Sequence, residues 1–187
     1  MESKIILISD LHGQEKALVY LQKIIEKENP QALICSGDIT HFGDISYLNK
    51  FFKLLESNGL TGFLIWGNSD SQDVQQSIIK SPYNSHLKVR NFMGLKIYGV
   101  GLVEEPPKIN PADVKDSILI THRPPVKKLI EKNYENAPAY HISGHLHYSK
   151  WVKKYPSTVH IQVPSLQTGE YATLLIPSHK VEFESIL

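Results

Sequence analysis

Cysteine is nearly absent: the 187 residues contain one, Cys35, so no disulfide framework exists. It lies inside the apolar run 32–36, where it reads as a small buried hydrophobe rather than a reactive thiol. Long apolar runs are missing as well. Met1-Glu2-Ser3-Lys4 leads into only four apolar residues before Ser9-Asp10, too few for a signal-peptide core. No stretch approaches the ~20 residues of a membrane span. Nor does either charge dominate: 20 Lys and Arg against 19 Asp and Glu leave a net charge of +1. There is thus no global basic field to attract nucleic acid or an anionic membrane. These deficits point to a soluble cytoplasmic protein with no membrane partner, and they argue against nucleic acid. An oligomer is compatible with them.

At 41% hydrophobic and 21% charged, the composition is that of a globular protein rather than a disordered or fibrous one. A chain this long buries one sizeable core unaided. No repeat, linker or low-complexity tract divides it, so residues 1–187 are expected to form a single domain. Short apolar runs at 5–9, 32–36 and 62–66 alternate with stretches of helical spacing. In the first stretch Ala17, Leu18, Leu21, Ile24 and Ile25 form one apolar face that stops before Asn29-Pro30. In the second, 45–56, Leu48, Phe51, Phe52 and Leu55 do the same, and Asn58-Gly59 supplies a left-handed stop. This alternation predicts βαβ units and a parallel sheet.

A further helix is expected over 73–80. Beyond it, 86–90 and 96–100 read as antiparallel strands joined through 91–94, and 104–111 as a surface loop. Apolar strands at 117–120 and 140–143 flank a helix expected over 126–133. The tail runs 151–155, 158–162, 171–176 and 181–186 read as an antiparallel meander.

The chemistry lies where the strands end. Successive apolar runs finish in Asp10-Leu11-His12, Gly37-Asp38, Gly67-Asn68-Ser69-Asp70, Thr121-His122 and Gly144-His145-Leu146-His147. In open α/β sheets ligands bind beyond the carboxyl ends of the strands, so these motifs converge on one crevice. Carboxylates and imidazoles suit divalent cations, and a carboxylate such as Asp38 can bridge two of them. Asp10 and Asp38 could alternatively cap the segments that follow them. Capping does not explain three histidines at matching strand ends.

In this order the motifs resemble the calcineurin-like metallophosphoesterase superfamily, from Ser9 to His147, over about four-fifths of the chain. The resemblance implies an α/β fold, a four-layer α/β/β/α sandwich with a dinuclear metal site at the strand C-terminal ends. It implies that Asp10, His12, Asp38 and His147 hold one metal, and that Asp38, Asn68, His122 and His145 hold the other. Asp38, Asn68 and His122 are then the catalytic candidates. The cofactors would be two divalent ions, and the nitrogen and oxygen donors favour manganese, iron, nickel or zinc. The implied reaction is phosphoester hydrolysis by a metal-bridging hydroxide, on a small-molecule phosphoester substrate. The short length and Thr121-His122-Arg123-Pro124-Pro125 resemble small single-domain prokaryotic phosphodiesterases of the superfamily. One departure stands out: Ser69 occupies the place where most members carry a histidine. The alternative is a noncatalytic scaffold of this fold for protein–protein interaction. Such proteins tend to lose ligands, and none of the seven is missing.

Other polar residues carry two readings. His41 is a phosphate contact, a stand-in acid or an exposed loop histidine. Arg123 is a partner for a phosphate oxygen or for a surface carboxylate. Asp70, with Ser71 and Asp73, reads as a helix N-cap before a catalytic group. His86, His160 and His179 read as surface or strand-face histidines.

Overall fold

The computed structural model describes residues 3–103, 108–124 and 136–187. The first apolar runs and periodic stretches become β1 (Ser3–Ile8), α1 (Glu15–Glu28), β2 (Ala32–Cys35), α2 (Ile45–Ser57), β3 (Thr61–Leu64) and α3 (Gln72–Lys80). Asn29, at φ 47, ends α1 in the left-handed region with its N–H on the Ile25 carbonyl. Asp44 starts α2 by accepting from the Tyr47 N–H at 3.0 Å. Next come β4 (Val89–Phe92), β5 (Leu95–Val100), the short α4 (Pro111–Val114), β6 (Ile118–Thr121) and β7 (Tyr140–Ser143). The chain closes with β8 (Trp151–Lys154), β9 (Val159–Gln162), β10 (Glu170–Ile176) and β11 (Val181–Ser185).

Two sheets result, in the orders β11-β10-β1-β2-β3 and β4-β5-β6-β7-β9-β8. β1, β2 and β3 run parallel, as do β5, β6, β7 and β9. Strand alternation divides the apolar residues between two cores. Ile6, Ile8, Leu33, Cys35 and Leu64 face α1, α2 and α3 through Leu21, Phe51, Val74 and their neighbours. Ile5, Leu7, Ile34 and Phe63 point the other way and meet Ile97, Ile118, Ile120, Ile142 and Ile161 of the second sheet. Burial on both faces is why these strands are continuously apolar. The α/β/β part of the expected sandwich is therefore present. The helix expected over 126–133 lies outside the described residues.

Two expectations about strand pairing need correction. The tail is no single meander: the β8–β9 hairpin extends the second sheet beside β7, and the β10–β11 hairpin extends the first beside β1. The connection bonds to both sheets, through Val163 N to Ser143 O at 2.8 Å and Leu166 N to Ser9 O at 2.9 Å. Turn residues signal hairpins, but the open edges of β1 and β7 decide which sheet receives each. The earlier hairpin turns at Met93-Gly94, both left-handed (φ 52 and 79), as a two-residue turn favours. Its first strand accordingly starts at Val89, and His86 joins the sheet only by a bridge to Gly99. Pro111, expected within a loop, opens α4 behind the Asn110 cap. No described helix is long and apolar enough to cross a membrane.

The end of α1 is anchored by a buried carboxylate. Glu28 accepts from Lys4 Nζ at 2.7 Å and from the Tyr171 hydroxyl at 2.8 Å, tying the helix to β1 and β10. Burial alone would raise the Glu28 carboxyl, but these bonds outweigh it and hold the group below its ordinary value of 4.5. A depressed carboxyl stabilises the fold above its unfolded value, and that contribution fades as pH falls through the folded one. Glu28→Gln should therefore cost about 1 kcal/mol near neutral pH, roughly 2–4 °C in melting temperature. The difference from wild type should shrink below pH 4.5 in chelator-containing buffer. An equal difference at roughly pH 3.5 and pH 7 would rule out this ionic role.

Candidate metal centre

Five strand-end loops are bonded together at one edge of the two sheets. Asp10 N to Gly37 O, His12 N to Asp38 O and Gly13 N to Ile39 O, each 3.0 Å, join the loops after β1 and β2. Phe42 N to Ser69 O at 3.1 Å adds the loop after β3, and Gly144 N to His122 O at 2.9 Å joins those after β6 and β7. Between the sheets, His145 N donates to Asp10 Oδ2 and His122 Nδ1 to the Ser36 carbonyl, both at 2.9 Å. Asp10, His12, Asp38 and His145 all have left-handed backbone, at φ 55, 48, 53 and 69. Each such residue costs about 1–2 kcal/mol, and the bonds between loops hold them there. Strain concentrated in this way is typical of functional sites.

The side chains so presented fall into two groups. In the first, His12 Nε2 and His147 Nε2 are 3.0 Å apart and lie 3.6 and 3.3 Å from Asp10 Oδ1. In the second, His122 Nε2 lies 3.3 Å from Asp38 Oδ2, 3.2 Å from His145 Nδ1 and 3.1 Å from Asn68 Oδ1. Asp38 Oδ2 is also 3.6 Å from His12 Nε2, so one carboxylate oxygen borders both groups.

Counting protons tests whether cations fit. A carbonyl only accepts, so the bond to Ser36 places a proton on His122 Nδ1. In the neutral ring Nε2 is then a lone pair facing Asn68 Oδ1 and Asp38 Oδ2, both acceptors. Asp10 Oδ1 is fully buried with no hydrogen-bond partner. Lone pairs converging without protons repel unless a cation lies among them, and this donor set suits a divalent one.

The titration behaviour agrees. The Asp10 carboxylate, 3.6 Å from Nε2, holds the His12 imidazolium above its ordinary value despite burial, with the charge of Asp38 assisting. Burial would lower His122, but its hydrogen bond to Asp38 and that residue's charge raise it instead. Burial would raise Asp38, and the bond and charge of His122 with the Ser69 N–H bring it down. Metal-free, the carboxylates draw protons onto the same imidazoles that would bind metal, so protons compete with cations. His145 is pushed down, by burial first and then by the charges of His122 and Arg123.

Gly67 and Gly144 act by being small. A Cβ on Gly67 would collide with Asp38 Oδ1 and His122 Cε1, and one on Gly144 with Ser9 Oγ and Asp10 Oδ2. Of the glycines preceding ligands only Gly37, at φ 102, takes the left-handed conformation.

Ser69, at the departure from the family pattern, is bonded to Asp38: its N–H donates to Oδ1 at 2.8 Å and its hydroxyl to Oδ2 at 3.1 Å. Asp70 is not the expected cap. Ser71 holds the N-cap position of α3, without a side-chain bond. Asp70 is buried and accepts from the N–H groups of Ile39, Thr40 and Gly67 and from the Thr40 hydroxyl, at 2.8 to 3.3 Å. It fastens the loop carrying Asp38 to the loop carrying Asn68.

All seven motif residues thus lie together. His41 is exposed and lines a cleft of about 300 Å³ with His12, Gln14, His147 and Gln167. Arg123 is exposed and reaches the site through its charge on His145. His179 is exposed, as expected for a surface residue. His86 is not on the open surface: it packs on Trp66 and accepts from Gly101 N at 2.9 Å. His160 is on a strand face but fully buried, against Ser143, His141 and Trp151. Sequence reading missed three supports. Gln162 Nε2 donates to the Gly144 carbonyl at 2.7 Å, Ser165 Oγ to the Asp10 carbonyl at 2.7 Å, and Gln14 Nε2 to Gln167 Oε1 at 2.6 Å. Gln162 could have been noticed as a polar residue ending an apolar strand run, the signal that marked the ligands. Ser165 and Gln167 carry no such signal.

Comparison with known proteins identifies the family. A family model described as calcineurin-like phosphoesterase matches residues 3–149. The chain belongs to the calcineurin-like phosphoesterase family, whose members are metal-dependent and usually dinuclear. No curated protein matches the sequence significantly. Among solved structures, a protein of Thermus thermophilus is 17% identical with a TM-score of 0.77, over 100% of both chains. An archaeal phosphodiesterase is 15% identical with a TM-score of 0.66, over 98% of this chain and 99% of its own. A dimetal phosphatase from Danio rerio is 10% identical with a TM-score of 0.71, over 98% and 95%. At these identities the likeness establishes the fold.

The role of Asp70 can be tested apart from any chemistry. Asp70→Ala would leave three buried N–H donors without an acceptor and should cost about 3 kcal/mol, roughly 6–12 °C in melting temperature. Ser71→Ala, at the actual N-cap, should stay within about 0.5 kcal/mol of wild type. A loss of only about 1 kcal/mol for Asp70→Ala, the size of a lost cap, would rule out the staple.

Proposed function

We propose that the protein is a single-domain phosphodiesterase that hydrolyses a small-molecule phosphodiester using two divalent cations. Asp10, His12 and His147 hold one, Asn68, His122 and His145 hold the other, and Asp38 is shared. The observation that carries this reading is the single Asp38 oxygen, within 3.6 Å of His12 Nε2 and 3.3 Å of His122 Nε2. Manganese, iron, nickel or zinc fits the nitrogen and oxygen donors.

When bound, the cations lower the pKa of water and neutralise charge on the phosphoryl oxygens. Asp38 would be held in place to serve both, because its two oxygens accept from the Ser69 N–H and hydroxyl. His122 offers Nε2 because Ser36 has fixed its tautomer. His41 and Arg123, at the rim, contact the substrate phosphate. Strain retained at four of the proposed ligands favours catalysis over a scaffold role, which would place no demand on it.

The purified protein should take up close to two equivalents of manganese or zinc by elemental analysis. Asp38→Asn should lower turnover of an aryl phosphodiester by about a hundredfold or more with the fold kept. His179→Ala should have little effect. A folded protein that binds well under one metal, or an Asp38→Asn variant with wild-type turnover at saturating metal, would overturn the assignment. Two bound metals with no turnover of any phosphoester would favour the scaffold.

A serine hydroxyl is too weak an acid to protonate a leaving oxygen, so that proton must come from His41 or water, and acidic leaving groups should be favoured. Ser69→His would place an imidazole beside the reacting face and should raise turnover of an alkyl ester relative to a nitrophenyl ester, by less than the ~100-fold of a well-placed acid. An unchanged ratio at matched metal loading would show that position 69 is not a vacant acid site.

A further inference from the structure

Two aromatic rings stand in solvent beside the metal centre. Phe42, 83% exposed, directly follows His41, and Tyr148, 88% exposed, directly follows His147. No other described aromatic residue is as exposed. Such rings ordinarily bury most of their surface, so a pair left in water at a site calls for a ligand. Phe42 is also held at φ 53, uncommon for a bulky residue, with its N–H on the Ser69 carbonyl.

The two rings end a continuous series. Centroid separations run 4.2 Å from Phe42 to His41, 6.1 Å to His12, 4.8 Å to His147 and 6.4 Å to Tyr148. The adjoining cleft, about 300 Å³, has the size of a small-molecule site and is lined by His12, His41, His147, Gln14 and Gln167. Gln14 Nε2 donates to Gln167 Oε1, and Gln167 Nε2 to the Asp10 carbonyl at 3.3 Å, so the two amides are fixed in place. The Gln14 amide keeps an oxygen and a second N–H for a ligand. Among the described residues, no lysine or arginine lines the cleft. The phosphate charge is therefore left to the cations with His41 and Arg123 at the rim, and the cleft supplies ring faces and amide edges.

Ring faces with fixed amides complement a nucleobase, which has two π faces and a hydrogen-bonding edge. We infer that the cleft is a nucleobase subsite and that the substrate is a small nucleotide phosphodiester. Phe42 and Tyr148 supply stacking surfaces, and Gln14 reads the base edge. This inference rests on the phosphodiesterase reading, because it needs the phosphate seated on the cations.

The test is calorimetric binding to the manganese-loaded full chain of three probes that share a phosphate: adenosine 5′-monophosphate, ribose 5-phosphate and phenyl phosphate. Wild type should bind the nucleotide about tenfold or more tightly than ribose 5-phosphate. Phe42→Ala and Tyr148→Ala should each reduce that preference by about fivefold and leave ribose 5-phosphate binding unchanged, while Tyr148→Phe retains the preference. Gln14→Ala should weaken the nucleotide but not phenyl phosphate. Equal binding of nucleotide and ribose 5-phosphate, or an undiminished preference in both aromatic variants, would overturn the subsite. A phenyl phosphate affinity equal to the nucleotide's, unmoved by Gln14→Ala, would reduce it to a generic aryl surface and overturn the nucleobase assignment. Turnover of an aryl phosphodiester separates the two readings. Turnover without nucleotide preference sinks the subsite alone, and nucleotide preference without turnover of any diester sinks the activity.

Discussion

The Asp38 carboxylate is the interaction on which the rest of the site depends. It is buried, so its charge needs compensation, and its partners divide between its two oxygens. Oδ1 accepts from the Ser69 N–H, and Oδ2 accepts from the Ser69 hydroxyl while facing His122 and His12. An oxygen so placed borders two sets of nitrogen lone pairs at once. Moving it by an ångström would separate the halves, which is why its surroundings are over-determined. Gly67 leaves no room for a Cβ beside it, and Asp70 ties its loop to the next one.

That precision is supported by apolar packing elsewhere. Left-handed backbone at four ligands and a set of buried polar atoms oppose folding locally. Both faces of the first sheet offset this, one closed by helices and the other by the second sheet. Because β1, β2 and β3 are parallel, their carboxyl ends lie on the same side, and β6 and β7 bring theirs to meet them. Two bonds, His122 Nδ1 to Ser36 O and His145 N to Asp10 Oδ2, then lock the sheets in register at the site.

The proposed reading divides chemistry from recognition in space. The groups that would face bound cations are acceptors and lone pairs, suited to positive charge rather than to discrimination among phosphoesters. On the proposed reading, discrimination falls to the adjoining cleft, lined by His12, His41, His147, Gln14 and Gln167. His12 and His147 belong to both regions, lining the cleft while grouped with Asp10.

Sequence alone determined most of the strands, the helices α1, α2 and α3, and the identity of the seven ligand candidates. The reason is local: apolar periodicity reports burial, and a polar ligand residue closing an apolar run is conspicuous without any knowledge of its partners. Only the tertiary structure decided what depends on residues distant in the chain. Asp70 looks like a cap from its neighbours and proves to be a staple because Ile39 and Thr40, some thirty positions earlier, lie against it. His160 reads as a surface or strand-face histidine, and only the pairing of β9 with β7 behind Trp151 shows that its face is buried. The two tail hairpins are readable as hairpins, yet the sheet each joins is set by which strand edges remain open after the parallel strands have paired. The sharing of Asp38 between two groups is likewise a fact about a 3.3 Å and a 3.6 Å separation. Spacing along the chain carries residue types and periods, whereas a distance between side chains on different loops exists only once both sheets have packed.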